Sequence, residues 1–552
     1  MTLPILSLII CIPLLAALVL ASGKLKGYAQ QISLGASLIQ IGLLIKLALG
    51  YQTSTATFQW VEQHDWIHFS LGSLGQFVAK YHLGIDGLSF GLIILTGIIS
   101  SIAIWNSDSI KEKTSSYFAL IMLLNASLMG CFLAKDFLLF YLFFEFMLLP
   151  MYFLIGIWGG PRKEYASIKF FIYTLAGSLF ILLALLALGT SYIDPYETAL
   201  AIDFIQPGQA FSAENAQMIQ TAIANGEIAS DKWVHSFDAA VFADLKNCYY
   251  KSILHPDSAW VLGNLSAREW AFWLLFIGFG IKLPIVPFHT WLPDAHVEAP
   301  TPVSVLLAGV LLKIGAYGWL RFTLPFFPKE ALEFSNILSG IGAISIIYGA
   351  FNALAMTDLK KLVAYSSISH MGFVLLGIAS FTAEGWQGAI FQLISHGVLS
   401  SLLFLLVGVI YDRTHDRSIQ NYSGLAQIMP AYTFITGLAF FASLGLPGFS
   451  GFIGEFFSLM GSFNSQHSSA IWAILGGLGI ILGAGYFLWT FQKMFLGKQY
   501  LKNSEWLLSD LTRKEKLSLY FLGISSLLLG IFPSIIFNLT DNWVSHLINQ
   551  LF

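Results

Sequence analysis

Apolar runs of about 20 residues recur along almost the whole chain. Short polar breaks close them, and they begin near residues 4, 31, 84, 116, 136, 167, 270, 301, 336, 362, 386, 431, 469 and 517. A helix of that length crosses a hydrocarbon layer of roughly 30 Å. Backbone N–H and C=O groups cannot stay unpaired in lipid, so the choice lies between helices and a closed barrel. The runs lack the roughly 10-residue alternation of barrel strands. The pattern predicts an all-α polytopic membrane protein with about 14 transmembrane helices. The first run, Met1 to Leu20, has no basic region ahead of it and no persuasive cleavage site, so it reads as a span and not as a signal peptide.

One stretch, residues 193–269, breaks the pattern with Pro, Gly, Asn and many acids. Over residues 191–260 nine acids stand against three bases, a net of −6. It reads as an outer-face insertion, either a docking surface for a partner or a tolerated surface loop. Its aromatic residues Trp233, Phe237, Phe242, Tyr249 and Tyr250 predict that part of it folds.

Composition agrees: of 552 residues 56% are hydrophobic and 11% charged, against roughly 25% charged in a soluble domain. A net charge of −3 without a charged tail offers nothing to nucleic acid. Cys11, Cys131 and Cys248 lie too far apart for a disulfide framework or a metal motif. The basic residues orient the chain. With the N-terminus outside, inner loops hold 16 of the 28 Lys and Arg residues and outer loops eight, so both termini are expected on the outer face. The other four, Lys46, Lys169, Lys282 and Lys313, fall in spans or at their edges, and Lys46 reads as a snorkelling side chain.

An ionised group at mid-span costs about 2.5 to 3.5 kcal/mol on insertion scales, so such groups mark function. Four lie deep: Glu145 in FLLFYLFFEFMLLPMYFLIGIW, Lys282 in WLLFIGFGIKLPIVPFHTWLP, Lys313 in VSVLLAGVLLKIGAYGWLRF and Glu455 in LGLPGFSGFIGEFFSLMGSF. One reading is a static Glu145–Lys282 ion pair that fixes packing, although desolvation makes such a pair a poor stabiliser. The other is a proton switch. Burial favours a neutral lysine and a nearby carboxylate favours the ammonium, so changing their separation moves a proton. Proline supports the second reading. Pro284 and Pro287 are expected to free the carbonyls of Gly280 and Leu283, and Pro447 that of Ser443 ahead of Glu455. Broken helices at such depth line wet cavities and ion sites. Pro150, five residues after Glu145, should kink its span likewise.

His370, preceded by Ser366, Ser367 and Ser369, and His396, beside Ser395 and one turn before Ser400, can both accept and donate a proton, which suits a relay. The alternatives are satisfied interior histidines, or two axial ligands of a membrane haem, which would leave the lysines and glutamates unexplained. His289, Asp294 and His296, in PFHTWLPDAHVEAPTPVSV, read as part of a rigid re-entrant turn and not as a metal site.

The segments FFEFMLLPMYFLIGIWGG, KLPIVPFHTWLPDAHVEAPTPVSVLLAGVLLKIGAYG, SSISHMG and LPGFSGFIGEF resemble the antiporter-like subunits of NADH:quinone oxidoreductase (complex I) and their relatives in cation/proton antiporter complexes, over about residues 84 to 500. The resemblance implies two inverted five-helix repeats, each containing a proline-broken helix. Residues 1–115 would hold spans 1 to 3. Residues 116–323 would form the first repeat, spans 4 to 8, interrupted by the insertion 193–269. Residues 336–495 would form the second, spans 9 to 13, and 496–552 an inner loop and span 14. Carried over by motif, Glu145 and Lys282 belong to the first half-channel, Lys313 and His370 to a central polar axis, and Glu455 ends the second half-channel. Lys169, at the start of span 6, also fits the family pattern, with snorkelling as its alternative. A glutamate at 455 resembles the M-type class (the mitochondrial subunit 4 class), where other classes carry lysine. The insertion is the departure, since the family commonly keeps that connection short.

What the resemblance implies is proton translocation without electron transfer in this chain, which has no glycine fingerprint or cysteine cluster. NADH, FMN, iron–sulfur clusters and a quinone are expected in other subunits. The expected partners are other membrane subunits, neighbouring antiporter-like subunits among them, the lipid bilayer and protons. The expected location is an energy-transducing membrane, the bacterial cytoplasmic membrane. Rival readings are a subunit of a sodium/proton antiporter or membrane-bound hydrogenase complex, and a structural membrane subunit with static ion pairs.

Overall fold

The computed structural model describes residues 4–206, 208–503, 506 and 508–551. Its helices run in chain order as α1 Ile5–Ala21, α2 Ala29–Gly50, α3 Gly87–Trp105, α4 Thr114–Leu133, α5 Phe137–Phe146, α6 Leu148–Trp158 and α7 Lys163–Ser191. Three short helices follow, α8 Pro195–Ala201, α9 Ala213–Ala224 and α10 Ala239–Ala243. Then come α11 Ala267–Lys282, α12 Trp291–Glu298, α13 Thr301–Leu306, α14 Lys313–Gly318, α15 Leu324–Phe326, α16 Pro328–Glu333, α17 Ser335–Ala355, α18 Leu359–Ile378 and α19 Ala383–Thr414. The chain closes with α20 Leu425–Ile428, α21 Pro430–Ser443, α22 Ser450–Phe463, α23 Ala470–Phe495, α24 Arg513–Ile531 and α25 Ser534–Leu551.

A helix begins within four residues of every expected start. By length and composition, however, ten helices among the described residues are able to cross a membrane, or eleven if the pair α24–α25, bent by 61°, counts as one span. The shortfall from about 14 has a physical reason. α1 has 17 residues, and α11 and α21 stop short at Lys282 and Ser443, just ahead of Pro284 and Pro447. Proline withholds the N–H that the next turn needs. At the centre of the bundle stand α19 and the helix over Thr301–Phe326, whose most apolar windows are wholly buried. α2, α7 and α23 lie at the rim, each turning an apolar face outward.

A small amount of β structure accompanies the helices. β1 (Gln59–Ser70) and β2 (Gln76–Ile85) form an antiparallel hairpin, and β3 (Val234–Ser236) adds in parallel, with Gln76 opposite Val234. These residues precede α3 and lie in the insertion, outside the apolar runs, where nothing compels the backbone to be helical. Minor pairs join β4 (Val261–Leu262) to β5 (Leu265–Ser266) and β6 (Tyr422–Ser423) to β7 (Tyr500–Leu501).

The insertion does fold. Ile193, Ala199, Ile205, Ile219, Ile223 and Ile228 make a small core of their own, with Trp233 packed on Tyr249. It is tied to the rest by β3, by a buried Arg268–Glu330 ion pair at 2.6 Å, and by Asp238, which accepts from His82 Nδ1 at 2.8 Å. Burial pushes the Asp238 carboxyl up, but the hydrogen bond and charge of His82, with the Ala240 N–H and Lys135, hold it below the usual carboxylate range.

Candidate functional site

Glu145 sits in the last turn of α5. Pro150 lacks the N–H that the Phe146 carbonyl would accept, and the helix hands over from α5 to α6 at Met147, one residue beyond that carbonyl. The flanking bonds are long, Met147 N–H to the Phe143 carbonyl at 3.3 Å and Met151 N–H to the Met147 carbonyl at 3.4 Å. The half-buried Glu145 side chain has a buried Oε1 without a partner. Lys282 ends α11, is 1% exposed, and aims its ammonium at the Phe144 ring, 4.8 Å away, and at Phe170, 5.8 Å away. The two charges sense each other electrostatically but make no ion pair within 4.0 Å, so the static contact pair is corrected.

The α11–α12 break also differs in detail from the expectation. The Gly280 carbonyl is not free, because the chain doubles back and Ile285 N–H donates to it at 3.1 Å. The Ile281 carbonyl accepts from Trp291 Nε1 at 2.9 Å. Lys169, on α7, does not snorkel. Its Nζ donates to Asp294 Oδ2 at 2.8 Å, and with Tyr173 and Thr290 at 2.9 Å it ties α7 to α12 and the turn before it.

The second group is continuous. Lys313 lies between two π-helical turns, Leu307–Leu311 and Trp319–Thr323, a distortion that often accompanies function. Its fully buried Nζ donates to the Ala308 carbonyl and lies 2.8 Å from Nδ1 of His396 on α19. The His396 ring meets the His370 ring of α18 edge-on, with centroids 5.5 Å apart. His370 Nε2 in turn lies 3.5 Å from Oε1 of Glu455 on α22 and donates to the Ser443 carbonyl at 3.1 Å, the carbonyl that Pro447 was expected to free. A cavity of about 10 Å³, the size of one water, is lined by both histidines, Glu455, Ser366, Ser367, Gln392 and Ser400.

Not every expected neighbour joins. Ser369 bonds to the Ile346 carbonyl, and Ser395 donates to Ser450, which contacts Ser526, away from the histidines. The edge contact of the two rings leaves no space for a macrocycle between them, which removes the haem reading. His289, Asp294 and His296 diverge: Asp294 is held by Lys169, His289 meets the Tyr348 ring, and His296 stacks on Phe404 at 4.4 Å.

Three groups escaped sequence reasoning. His296 is wholly buried, neither ring nitrogen has a partner, and it feels the charges of Lys313 and Lys360. Lys360, read as an inner-loop residue, is buried in the first turn of α18 and donates to the Ala299 carbonyl. Arg321, read as an outer-loop residue, is buried and grips Asp86 with two 2.6 Å hydrogen bonds. A signal existed for Arg321, which follows Lys313 by eight residues and so falls on the same face of one helix.

Two interrupted helices, each with an ionisable group beside the break, and a polar line through protein that ends at the second of them define a class of ion-translocating membrane subunit. The chain belongs to the family described as NADH:quinone oxidoreductase/Mrp antiporter, TM, whose model matches residues 134–214 and 249–482. The unmatched gap falls within the insertion. The NADH-quinone oxidoreductase subunit M of Rickettsia typhi (strain ATCC VR-144 / Wilmington) is 37% identical over 556 residues, 99% of each chain, so this chain and that relative are of similar length. Among solved structures, a chain of respiratory complex I from Thermus thermophilus with bound NADH superposes with a TM-score of 0.76 at 27% identity, covering 99% of this chain and 100% of that one. A chain of the Mrp complex from Dietzia sp. DQ12-45-1b shares the fold at 22% identity, with a TM-score of 0.73, 99% of this chain and 52% of that one covered.

Proposed function

We propose that this chain is the M-type, proton-translocating membrane subunit of a respiratory NADH:quinone oxidoreductase. The observation that carries the reading is the line Lys313–His396–His370–Glu455, brought together from four elements distant in sequence and ending on a glutamate. Relatives named subunit M, similar over almost their whole length, favour it over the sodium/proton antiporter and hydrogenase readings. The two broken helices belong to two inverted repeats among about 14 spans. Both termini face outward in a bacterial cytoplasmic membrane, and NADH, FMN, iron–sulfur clusters and quinone are held by other subunits.

Glu145 and Lys282 form the input, with Lys169 and Asp294 anchoring the half-helix beyond the break. Energy arrives from neighbouring membrane subunits as a shift that brings the Glu145 carboxylate, whose Oε1 has no partner, onto Lys282, whose ammonium already lies over the adjacent Phe144 ring. Pairing or parting decides whether Lys282 keeps its proton, and its charge sets the field at Lys313. Protons then pass through His396 and His370 to Glu455. Lys282→Ala and Glu145→Gln in the assembled complex are expected to lower protons moved per NADH oxidised in membrane vesicles. An assembled complex with the parental ratio would sink the reading.

A further inference from the structure

His370 Nε2 faces two acceptors at once, the Ser443 carbonyl at 3.1 Å and Glu455 Oε1 at 3.5 Å. A carbonyl oxygen can only accept, so the bond to Ser443 requires a hydrogen on Nε2. That is the hydrogen a transfer to Glu455 would move. Resting on the reading of Glu455 as terminal acceptor, we infer that the Ser443 carbonyl is the gate of the second half-channel: it holds the Nε2 hydrogen off Glu455 until the α21–α22 linker shifts.

Local chemistry puts the carbonyl there. In a continuing helix it would accept from the N–H of residue 447, and Pro447 has none. α21 therefore ends at Ser443, and the linker to Ser450 passes through Gly445 and Gly448 at φ +79° and +99°, conformations that glycine adopts at little cost. The same linker touches the other acceptor. Glu455 Oε2 lies against Gly445, where an added Cβ would come within 2.7 Å of it. Both acceptors thus meet one hinge-like segment, Ser443 at its start and the Glu455 side chain at Gly445, and their distances to Nε2 differ by less than half an ångström. A small shift of the linker lengthens one contact and shortens the other.

When the gate opens, the Nε2–H bond breaks and an Oε1–H bond forms, turning the Glu455 carboxylate into a carboxylic acid. Nδ1 takes a proton delivered from the His396 side, so the His370 ring ends neutral. Ser443 and Pro447 are positioning residues in this scheme, acting only through His370.

The test uses the whole complex in liposomes. Pro447→Ala supplies an N–H for the Ser443 carbonyl and should release His370. A several-fold higher passive proton leak without NADH is expected, with fewer protons moved per NADH, and the leak should vanish in Pro447→Ala/Glu455→Gln. Pro430→Ala, at the first position of α21 where proline withholds no helical bond, should match the parent. A parental leak and ratio in Pro447→Ala overturns the gate, as does a leak that survives in the double variant. Glu455→Gln alone separates the two ideas: parental pumping there refutes the reading of Glu455, whereas lost pumping beside a silent Pro447→Ala refutes only the gate. If Pro447→Ala does not assemble, Gly445→Ala probes the contact from the Oε2 side. It should lower the ratio at least two-fold without a leak, and an unchanged ratio overturns the proposal.

Discussion

Replacing His396 separates two tasks of one ring. Its Nδ1 lies 2.8 Å from the fully buried Lys313 Nζ, and the ring meets that of His370 edge-on. His396→Gln keeps an acceptor, because the amide oxygen can take the Lys313 N–H, but an amide does not bind a proton on one atom and release it from another near neutral pH. His396→Leu removes acceptor and relay together. A hydrogen bond to a charged group contributes about 1.5–3 kcal/mol, and Lys313 retains the Ala308 carbonyl as a second acceptor. The leucine variant should therefore lose about 1.5–3 kcal/mol, roughly 10- to 150-fold in an equilibrium, and the glutamine variant under about 1 kcal/mol. Pumping through this subunit should fall in both. The assay is dye-reported acidification of liposomes per NADH oxidised, with thermal unfolding of the same samples. A parental proton-to-NADH ratio in His396→Gln would refute the relay. Equal destabilisation by glutamine and leucine would refute the claim that the ring serves Lys313 as an acceptor.

Two further outcomes follow from the packing. Asp86→Asn strips the buried Arg321 of its counter-charge and should cost about 3–5 kcal/mol, most of it recovered in Asp86→Asn/Arg321→Met; thermal unfolding checks this, and strict additivity would count against it. Asp510 accepts from the N–H groups of Ala431 and Tyr432 at the start of α21 and from that of its neighbour Leu511, so Asp510→Ala should cost about 0.5–2 kcal/mol at neutral pH. Burial raises the Asp510 carboxyl, but these N–H groups and Lys516 outweigh it and hold it below the ordinary value. Its contribution is complete above about pH 4 and is lost as pH falls through the lowered value, so the gap in melting temperature between parent and variant should close on acidification.

Helix starts were legible because a lipid-facing span has to satisfy its own backbone and stay apolar residue by residue, a local demand that leaves a local pattern. The same holds for the deep charges Glu145, Lys282, Lys313 and Glu455, which stand out against apolar surroundings, and for the Ser443 carbonyl, whose freedom follows from Pro447 four residues on. Contacts between helices carry no such pattern. Lys313 and His396 are 83 residues apart and His370 and Ser443 73 apart, so their meeting depends on how α14, α18, α19 and the α21–α22 linker pack. Packing also parted Glu145 from Lys282, placed Arg321 and Lys360 inside helices, and closed the Gly280 carbonyl with Ile285. Chemistry was written along the chain, one residue at a time. Which groups lie within a proton's reach of one another was decided only when the helices came together, because a difference of a few tenths of an ångström between two acceptors is set by tertiary packing and by nothing local.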